Sequence, residues 1–333
     1  MFRLSILLAL TATAQLWSQS FITVAHRTDT AEILDAATLE TVATLRFPFG
    51  IERLSPALDG RSLNVEGYDD RACCKNYVLD LETMNLRESA RPRQSPDYFG
   101  ECLTSPDGHW CAQLKSFRGP SLRMADIQNP KTVLELAPPG LPAENREGNW
   151  WALGTWSADR FFLYVSRPND PGFFWIVPAG DEALSPGTAV AAFNEVPGCR
   201  QRLAVEKGIV AAAGNVFLYE SFGGKGDRTL MCKAPIPGGA WILDSNTGTL
   251  TKQIAPDFHF NRLIAGGDAL YGVALDGTNF SSAPVRLIKL DARNGTVLQS
   301  RTFDAGVLQI GVGALATRPS GYIPILPVNA ARH

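Results

Sequence analysis

The sequence predicts an all-β protein with the architecture of a six-bladed β-propeller, and three observations lead to this expectation. A segment of strand, Asp, turn and strand recurs along the chain, a second hairpin lies between successive copies, and helical periodicity is almost absent. Four short antiparallel strands repeating about every 45 residues are typical of propeller blades. A β-sandwich with Greek-key connections explains the strand content but not the fixed period.

The first recurring unit is an outer hairpin whose first strand ends in Asp, as in EILDAATLETVATL and RLIKLDARNGTVLQS. An Asp at this position accepts hydrogen bonds from the backbone N–H groups of the following turn, so these aspartates are predicted to be structural. A sixth, degenerate copy, FFWIVPAGDEALSPGTAVAAF, has Pro178 near the Asp position. The five regular copies carry Asp35, Asp80, Asp126, Asp244 and Asp291.

The second recurring unit is an inner hairpin with a turn rich in Asp and Gly, as in RLSPALDGRSLNV and CLTSPDGHWCAQL. Its last strands, near residues 309–326, have no outer hairpin after them, and the first outer hairpin has no inner strand before it. Pairing the two chain ends in one composite N/C-terminal closing blade leaves no open sheet edge at the seam. Six blades follow, with seven as the alternative if the fourth or fifth blade contains an additional unit.

Residues 1–20 have the pattern of a signal peptide. Arg3 precedes LSILLALTATA, an apolar run far shorter than the roughly 20 residues that span a bilayer. Small residues at 12 and 14, or at 18 and 20, both satisfy the cleavage rule. The remaining residues, 21–333, are expected to form a single propeller domain that is secreted into the periplasm or outside the cell. No later apolar segment predicts a membrane span.

Composition and charge restrict the partners. The chain is 45% hydrophobic and 19% charged, as expected of a globular protein with a substantial core. Its net charge is −2 and its pI about 6.1, and its Lys and Arg residues are scattered. We therefore expect neither a nucleic acid nor an anionic membrane as partner, and we expect a monomer.

One pair of cysteines has spacing that predicts a disulfide. Cys102 and Cys111 flank the turn SPDG at nearly equal distances from its centre, so a hairpin brings them close together. An even number of cysteines in an exported chain is readable as a disulfide framework, and this chain has six.

The other four cysteines leave alternatives open. Cys73 and Cys74 are adjacent, so they form a vicinal ring or pair elsewhere, and in the first case Cys199 and Cys232 remain for each other. A metal site is not expected, because the sequence has no C-x-x-C motif and only four His.

The runs SFITVAHRTDTAEILDAATLETVATL, LSPALDGRSLNV and LTSPDGHW together resemble the YVTN-type repeat propellers of bacterial exported and surface proteins. In that family the repeat combines a YV-x-N strand, a V-x-V-I-D hairpin and a V-x-x-S-P-D-G turn. The resemblance covers most of the chain with degenerate repeats. It implies a propeller from a group that includes surface-layer and adhesion modules, propeller subunits of quinone-dependent amine dehydrogenases, and lactonases.

Propeller topology predicts where a site lies. Connections from an outer strand to the next inner strand, and those between the two middle strands, meet at one face around the central channel. Arg, carboxylate and aromatic side chains concentrate in these connections, and such a face suits a protein or a small anionic ligand. Period-2 alternation in GCRQRLAV directs two of the arginines the same way. The candidate residues are Arg53, Asp69, Asp70, Glu101, Trp150, Trp151, Arg200, Arg202, Glu220, His259 and Arg262.

Catalysis has little support in the sequence. There is neither a G-x-S-x-G nor an H-E-x-x-H motif, no cofactor is predicted, and His259 in DFHFN has no partner at the sequence level. FLYESFGGKG resembles a strand and loop of the propeller glutaminyl cyclotransferases, which implies an enzyme. Two hypotheses therefore stand: a secreted binding or scaffold propeller, and a propeller enzyme or enzyme subunit with its site at the channel mouth.

We predict that a disulfide between Cys199 and Cys232 holds the segment from Ser221 to Ala240. Closing a chain segment of this length stabilises the folded state by roughly 3 to 4 kcal/mol, and the segment is rich in Gly and Pro, which makes it costly to order. Mass mapping of non-reduced peptides tests the pairing. A free thiol at Cys232, or its recovery linked to Cys73 or Cys74, contradicts it.

Overall fold

The computed structural model describes β-strands, turns and short irregular segments. Within the residues that the structure describes, no helix has the length and apolar character that crossing a bilayer requires. The described residues are 19–26, 28–57, 59–69, 72–89, 102–105, 107–115, 121–129, 131–137, 151–157, 159–166, 173–179, 188–190, 206–221, 238–244, 250–275, 284–304, 307–315 and 320–325.

Strands β1 to β25, numbered in chain order, form six sheets in these ranges. The first sheet contains β1 (Gln19–His26), β2 (Thr30–Asp35) and β3 (Thr41–Arg46), with β24 (Val307–Leu315) and β25 (Gly321–Pro324) from the other end of the chain. The second contains β4 (Gly50–Pro56), β5 (Ser62–Asp69), β6 (Ala72–Asp80) and β7 (Leu86–Ser89), and the third β8 (Leu103–Thr104), β9 (Trp110–Lys115), β10 (Ser121–Asp126) and β11 (Val133–Leu136).

The remaining three sheets have the same sequential order of four strands. They contain β12 (Trp151–Ser157), β13 (Arg160–Ser166), β14 (Phe173–Pro178) and β15 (Thr188–Val190); β16 (Glu206–Ala212), β17 (Asn215–Ser221), β18 (Ala240–Leu243) and β19 (Leu250–Ile254); and β20 (Phe260–Gly266), β21 (Ala269–Leu275), β22 (Val285–Asp291) and β23 (Val297–Phe303).

The sheets are arranged around an inner ring of strands. Strand β8 contacts β12, which contacts β16, and the contacts continue through β20 and β24 to β4. Each sheet therefore turns one edge strand toward its neighbours and extends outward from it as an antiparallel meander. This is the architecture of a β-propeller, and the all-β propeller expectation is confirmed.

The two ends of the chain meet in the first sheet. β24 pairs antiparallel with β1 along nearly its whole length, with Gln19 opposite Leu315 and Ala25 opposite Gln309. The composite sheet predicted from the sequence is therefore present. One expectation for this region is wrong: residues 309–326 do not all lie on the inner side, because β25 crosses to the outer edge and pairs parallel with β3. Ile325, the residue after this strand, is buried in the apolar cluster of the first and second sheets.

Both faces of the first sheet are buried, which explains its apolar sequence. Phe21 and Ile33 pack with Ile51 of the second sheet on one side. Ile22 and Leu34 pack with residues of β21 and β22 on the other side. Successive residues of a strand point to opposite faces, so a strand between two neighbouring blades needs apolar residues on both.

The innermost pair at the seam is packed closely enough to require glycine. The hydroxyl of Thr23 in β1 donates to the carbonyl of Leu54 in β4 at 3.1 Å, so it links two sheets. A Cβ atom at Gly311 in β24 would lie 2.7 Å from the hydroxyl oxygen of Thr23 and 3.0 Å from that carbonyl oxygen. A methyl group at 311 therefore has to displace the backbone of a neighbouring sheet.

Four of the five aspartates of the outer hairpins have the predicted structural role, and for Asp244 the role stays a prediction. One carboxylate oxygen of Asp35 accepts the backbone N–H groups of Ala37 and Thr38, at 2.8 and 3.0 Å. Asp80 and Asp126 each accept an equivalent pair of bonds, and Asp291 accepts one such bond. Hydrogen bonds from the backbone of Thr83 hold the pKa of Asp80 below its ordinary value.

The outer hairpins also share a left-handed residue. The fourth residue after the aspartate has positive φ at Leu39, Met84 and Gly295. A β-bulge next to the turn accommodates this conformation. The register shifts beside Leu34 and Leu290 are such bulges, so they are part of the same turn structure.

We predict that Gly311→Ala destabilises the protein by about 1 to 3 kcal/mol, because the added methyl group overpacks the seam between β1, β24 and β4. Urea unfolding followed by Trp fluorescence measures the change. Ser320→Ala, at an exposed position outside the seam, is the control and is expected to leave stability unchanged. Equal stability of the two variants would show that the seam tolerates the methyl group.

Candidate functional site

The two ends of the sheets differ in how their strands are connected. At one end, which we call the turn face, the first strand of a sheet joins the second and the third joins the fourth. Here the two turns of one sheet bond to each other: the Leu81 N–H donates to the Arg61 carbonyl at 2.9 Å, and the Ile127 N–H donates to the His109 carbonyl at 2.8 Å. In these two sheets the described turns therefore satisfy part of one another's backbone groups.

Side chains reinforce these inner turns. The carboxylate of Asp59 accepts the backbone N–H groups of Arg61 and Ser62, at 2.8 and 2.9 Å. In the SPDG turn, Asp107 accepts a hydrogen bond from the Ser105 hydroxyl and another from the His109 N–H. The backbone N–H donors to Asp59 and the Ser105 hydroxyl bond to Asp107 hold the pKa of each carboxyl below its usual range.

The opposite end, which we call the loop face, carries the connections from each outer strand to the next inner strand and those between the two middle strands. The longest intervals between consecutive described strands begin and end at this end of those strands; they are residues 90–102, 137–150, 191–205 and 222–239. Long connections on a rigid scaffold are where binding and catalytic residues concentrate.

A β-bulge recurs near the loop-face end of three inner strands, β4, β20 and β24. In β4 the register skips Glu52, so that Arg53 lies opposite Glu66. In β20 it skips Asn261, so that Arg262 lies opposite Val273. Bulges bend a strand and redirect the side chains that follow.

The same irregularity occurs in β24, where the register skips Leu308 and places Gln309 opposite Ala25. Since β20, β24 and β4 contact one another in that order, the residues after the three bulges occupy equivalent positions on three successive inner strands. We call the three residues, Arg262, Gln309 and Arg53, the mouth triplet.

The mouth triplet is polar and partly accessible. One Nη of Arg262 donates to the Oε1 of Gln309, which joins two neighbouring sheets. The Nε of Arg53 lies 4.0 Å from a carboxylate oxygen of Glu66, and the Arg53 side chain is 44% exposed. Two guanidinium groups beside an amide offer planar donors suited to carboxylate, sulfate or phosphate oxygens.

The other predicted site residues are only partly described. His259 is exposed and immediately precedes β20. Trp151 is the first residue of β12, Asp69 the last of β5, and Glu220 the last but one of β17, so their backbones lie at the loop-face ends of strands. The grouping of the candidates into one site stays a prediction. Those outside the described residues are Asp70, Glu101, Trp150, Arg200 and Arg202.

A disulfide joins Cys102 to Cys111, as predicted, with 5.3 Å between their Cα atoms. The register places Thr104, not Cys102, opposite Cys111, so the bridge runs diagonally across the hairpin. It covalently connects the chain just before the two-residue strand β8 to β9, where few ladder hydrogen bonds are available.

The remaining cysteines stay predictions. Cys73 and Cys74 are in strand β6. Cys199 and Cys232 lie outside the described residues.

A partly buried ion pair joins the first sheet to the sixth. Glu32 in β2 accepts from Nη2 of Arg301 in β23 at 2.9 Å and from the Thr41 hydroxyl at 2.5 Å. Its other oxygen is 3.1 Å from Nε2 of His26. The other Nη of Arg301 donates to the Leu39 carbonyl at 2.9 Å. Sequence reasoning missed this cluster, because nothing in the spacing of its members indicates contact.

This cluster joins two sheets and holds Glu32 in its ionised form. The hydrogen bond to His26, reinforced by Thr41 and Arg301, lowers the pKa of Glu32 to about 2. A carboxyl held ionised in this way is a poor general acid and a weak base at neutral pH. An open groove of about 400 Å³ lies beside it, lined by residues 38–41 and by Ser300 and Arg301. Among the described residues no group of three His, Cys, Asp or Glu side chains is placed to hold a metal ion.

Comparison with known proteins finds structural likeness only. No family model matches the chain. No curated protein matches it either. Among solved structures, TolB from Acinetobacter baumannii is 14% identical, with 89% of this chain and 66% of that chain covered and a TM-score of 0.45. The chain thus spans slightly less than two thirds of that protein.

Two further structures show a similar degree of likeness. A putative TolB from Agrobacterium tumefaciens is 13% identical, with 92% and 94% of the two chains covered and a TM-score of 0.48. The β-propeller domain of Cps50 (Swd1) from Myceliophteria thermophila is 12% identical, with 77% and 76% covered and a TM-score of 0.40. At these values the likenesses identify neither a family nor a function.

We predict that Glu32→Gln removes a pH-dependent part of the stability. The pKa of folded Glu32, about 2, lies below its ordinary value of 4.5, so the carboxylate stabilises the fold above about pH 4.5 and loses this effect as the pH falls toward 2. The free energy of unfolding of the wild type should exceed that of the variant by about 2 kcal/mol near pH 6, and this difference should largely vanish near pH 2.

Urea unfolding across this pH range measures the difference. Glu40→Gln, which changes an exposed carboxylate in the neighbouring turn, is the control. Its free energy of unfolding should stay close to that of the wild type across the pH range. A difference between the wild type and Glu32→Gln that does not depend on pH contradicts the assignment.

Proposed function

We propose that this protein is an exported β-propeller of the YVTN-repeat type that binds anionic groups at its loop face. The ligand class is a carboxylate, sulfate or phosphate group, carried by a small molecule or by the surface of a partner protein. The propeller supplies a rigid frame, and the loop face supplies the contacts.

The mouth triplet is the observation that carries this proposal. Three successive inner strands each contain a one-residue bulge, and each bulge is followed by a long polar side chain, two of them Arg. Bulges recur next to binding and active sites because they redirect a side chain that regular pleating would direct elsewhere. The three bulges lie at the same end of neighbouring inner strands, so the side chains that follow them are at one end of the ring.

The contrast between the two faces supports the same proposal. Aspartate carboxylates that could present negative charge on the turn face are instead engaged by backbone N–H groups. The loop face carries the long connections, in which the predicted Arg and aromatic residues concentrate. Opposite ends of one scaffold thus have separate roles, one in folding and one in recognition.

Export is supported by two separate features. The Cys102 to Cys111 disulfide is typical of proteins that mature in an oxidising compartment. The first 20 residues have the charge and apolar pattern of a signal peptide. Assignment to the YVTN-type group is part of the proposal and rests on the repeat motifs of the sequence.

We predict that Arg53→Gln combined with Arg262→Gln weakens the binding of inorganic phosphate, sulfate or citrate at least tenfold, because both guanidinium donors are lost. Isothermal titration calorimetry with each anion measures the affinity. Arg200→Ala with Arg202→Ala is expected to have a similar effect. The matched control is Arg61→Gln with Arg293→Gln, which removes the same charge from the turn face.

Small and similar decreases in melting temperature are expected for the two Gln double variants, because each loses one described contact, Arg262 with Gln309 or Arg293 with Asp268. If the wild type binds none of the three anions, or if the turn-face control weakens binding as much as the loop-face variant, the proposed anion site is wrong. A large fall in melting temperature for the loop-face variant alone assigns its arginines to the fold instead.

A further inference from the structure

Strand β25 differs from the other described strands in how it is held. It pairs with β3 alone, in parallel, and this is the one parallel pair among the described strands. Its register places Tyr322 opposite Thr44 and Ile323 opposite Leu45. Parallel pairing is slightly less stable per residue than antiparallel pairing, and an edge strand has a ladder on one side only.

Few side chains attach β25 to the sheet. Ile325, immediately after the strand, is 4% exposed and its N–H donates to the Arg46 carbonyl at 2.6 Å. Ile323 packs against the same apolar cluster, which includes Leu45 and Phe47. The strand is otherwise at the surface: Tyr322 is 59% exposed, and its side chain contacts that of Arg46 in β3. Two isoleucines two residues apart therefore supply most of the apolar contact.

The backbone of β25 faces β3 with only part of its polar groups. Successive N–H groups of a strand point to opposite sides, and the N–H of Ile325 points to β3. The nitrogen of Pro324 therefore points outward, and proline has no N–H to donate. This arrangement covers the edge of β3 without presenting a complete new edge for a further strand.

We infer that the outer edge of β3 is a strand-acceptor site, which β25 occupies in the isolated chain and which takes an extended segment of a partner protein in its place. The segment that fits is uncharged, runs parallel to β3, and carries two aliphatic residues in alternate positions. Its backbone bonds to the carbonyl groups of β3, and its aliphatic side chains enter the positions of Ile323 and Ile325. Addition of a strand to an exposed sheet edge is a general mode of peptide recognition.

Three structural features support exchange at this edge. The occupant is the last described strand of the chain, so its release leaves the ring of inner strands and the β1 to β24 pairing in place. The acceptor strand β3 is fixed independently by its antiparallel ladder with β2. Its far end is defined by an ion pair, since the Nε of Arg46 lies 2.9 Å from a carboxylate oxygen of Asp29. This site is on the outer rim, so it is separate from the proposed anion site at the loop face.

The test uses the full chain and a fluorescein-labelled peptide of residues 320–326, SGYIPIL, followed by fluorescence anisotropy. Ile325→Asp in the protein weakens the resident strand without removing it. We expect this variant to bind the peptide at least tenfold more tightly than the wild type, whose own β25 competes at high effective concentration. A peptide carrying the same Ile325→Asp change is the matched control and should bind neither protein.

Amide hydrogen exchange on the unaltered wild-type chain provides a second measurement. The N–H groups of Ile323 and Ile325 should exchange at least tenfold faster than those of Ile33 and Leu34 in β2. Equal protection of the two groups overturns the inference, because it shows that β25 opens only with the sheet. Failure of a folded Ile325→Asp protein to bind the peptide better than the wild type also overturns it.

Discussion

The antiparallel pairing of β1 with β24 is the constraint on which the rest of the structure depends. The innermost strand of the first sheet comes from the far end of the chain, so the inner ring is complete only when both ends have met. This pairing also sets the packing on each side, because β1 directs Phe21 toward the second sheet and Ile22 toward the sixth. Gly311 and Thr23 permit the close approach of β24, β1 and β4.

The seam is closed a second time at its outer side. Arg301 in the sixth sheet bonds to Glu32 and to the Leu39 carbonyl, and the Tyr271 hydroxyl donates to the Ala36 carbonyl at 3.0 Å. These contacts hold an outer hairpin of the first sheet against the sheet that precedes it in the ring. A partly buried charged pair stabilises a fold only when its remaining donors and acceptors are satisfied, and here they bond to a hydroxyl and a backbone carbonyl.

The sequence predicted at which end of the propeller the candidate residues lie, but not how these residues are arranged there. Propeller topology placed Arg53 and Arg262 near the channel mouth, and the structure finds both at the loop-face ends of inner strands. The bulges that make these positions equivalent, and the inclusion of Gln309, were not anticipated. A bulge changes the register by a single residue. A polar pair such as Glu52-Arg53 in a single sequence is equally compatible with a regular strand.

The sequence by itself determined the propeller class, the aspartate-anchored turns and the Cys102 to Cys111 pair. Each depends on interactions between residues a few positions apart, such as Asp35 with the N–H of Ala37. Tertiary structure alone decided the crossing of β25 to the outer edge and the Glu32 to Arg301 pair. Those contacts join residues more than 250 positions apart, and local propensity carries no information about which distant surface will be buried beside them.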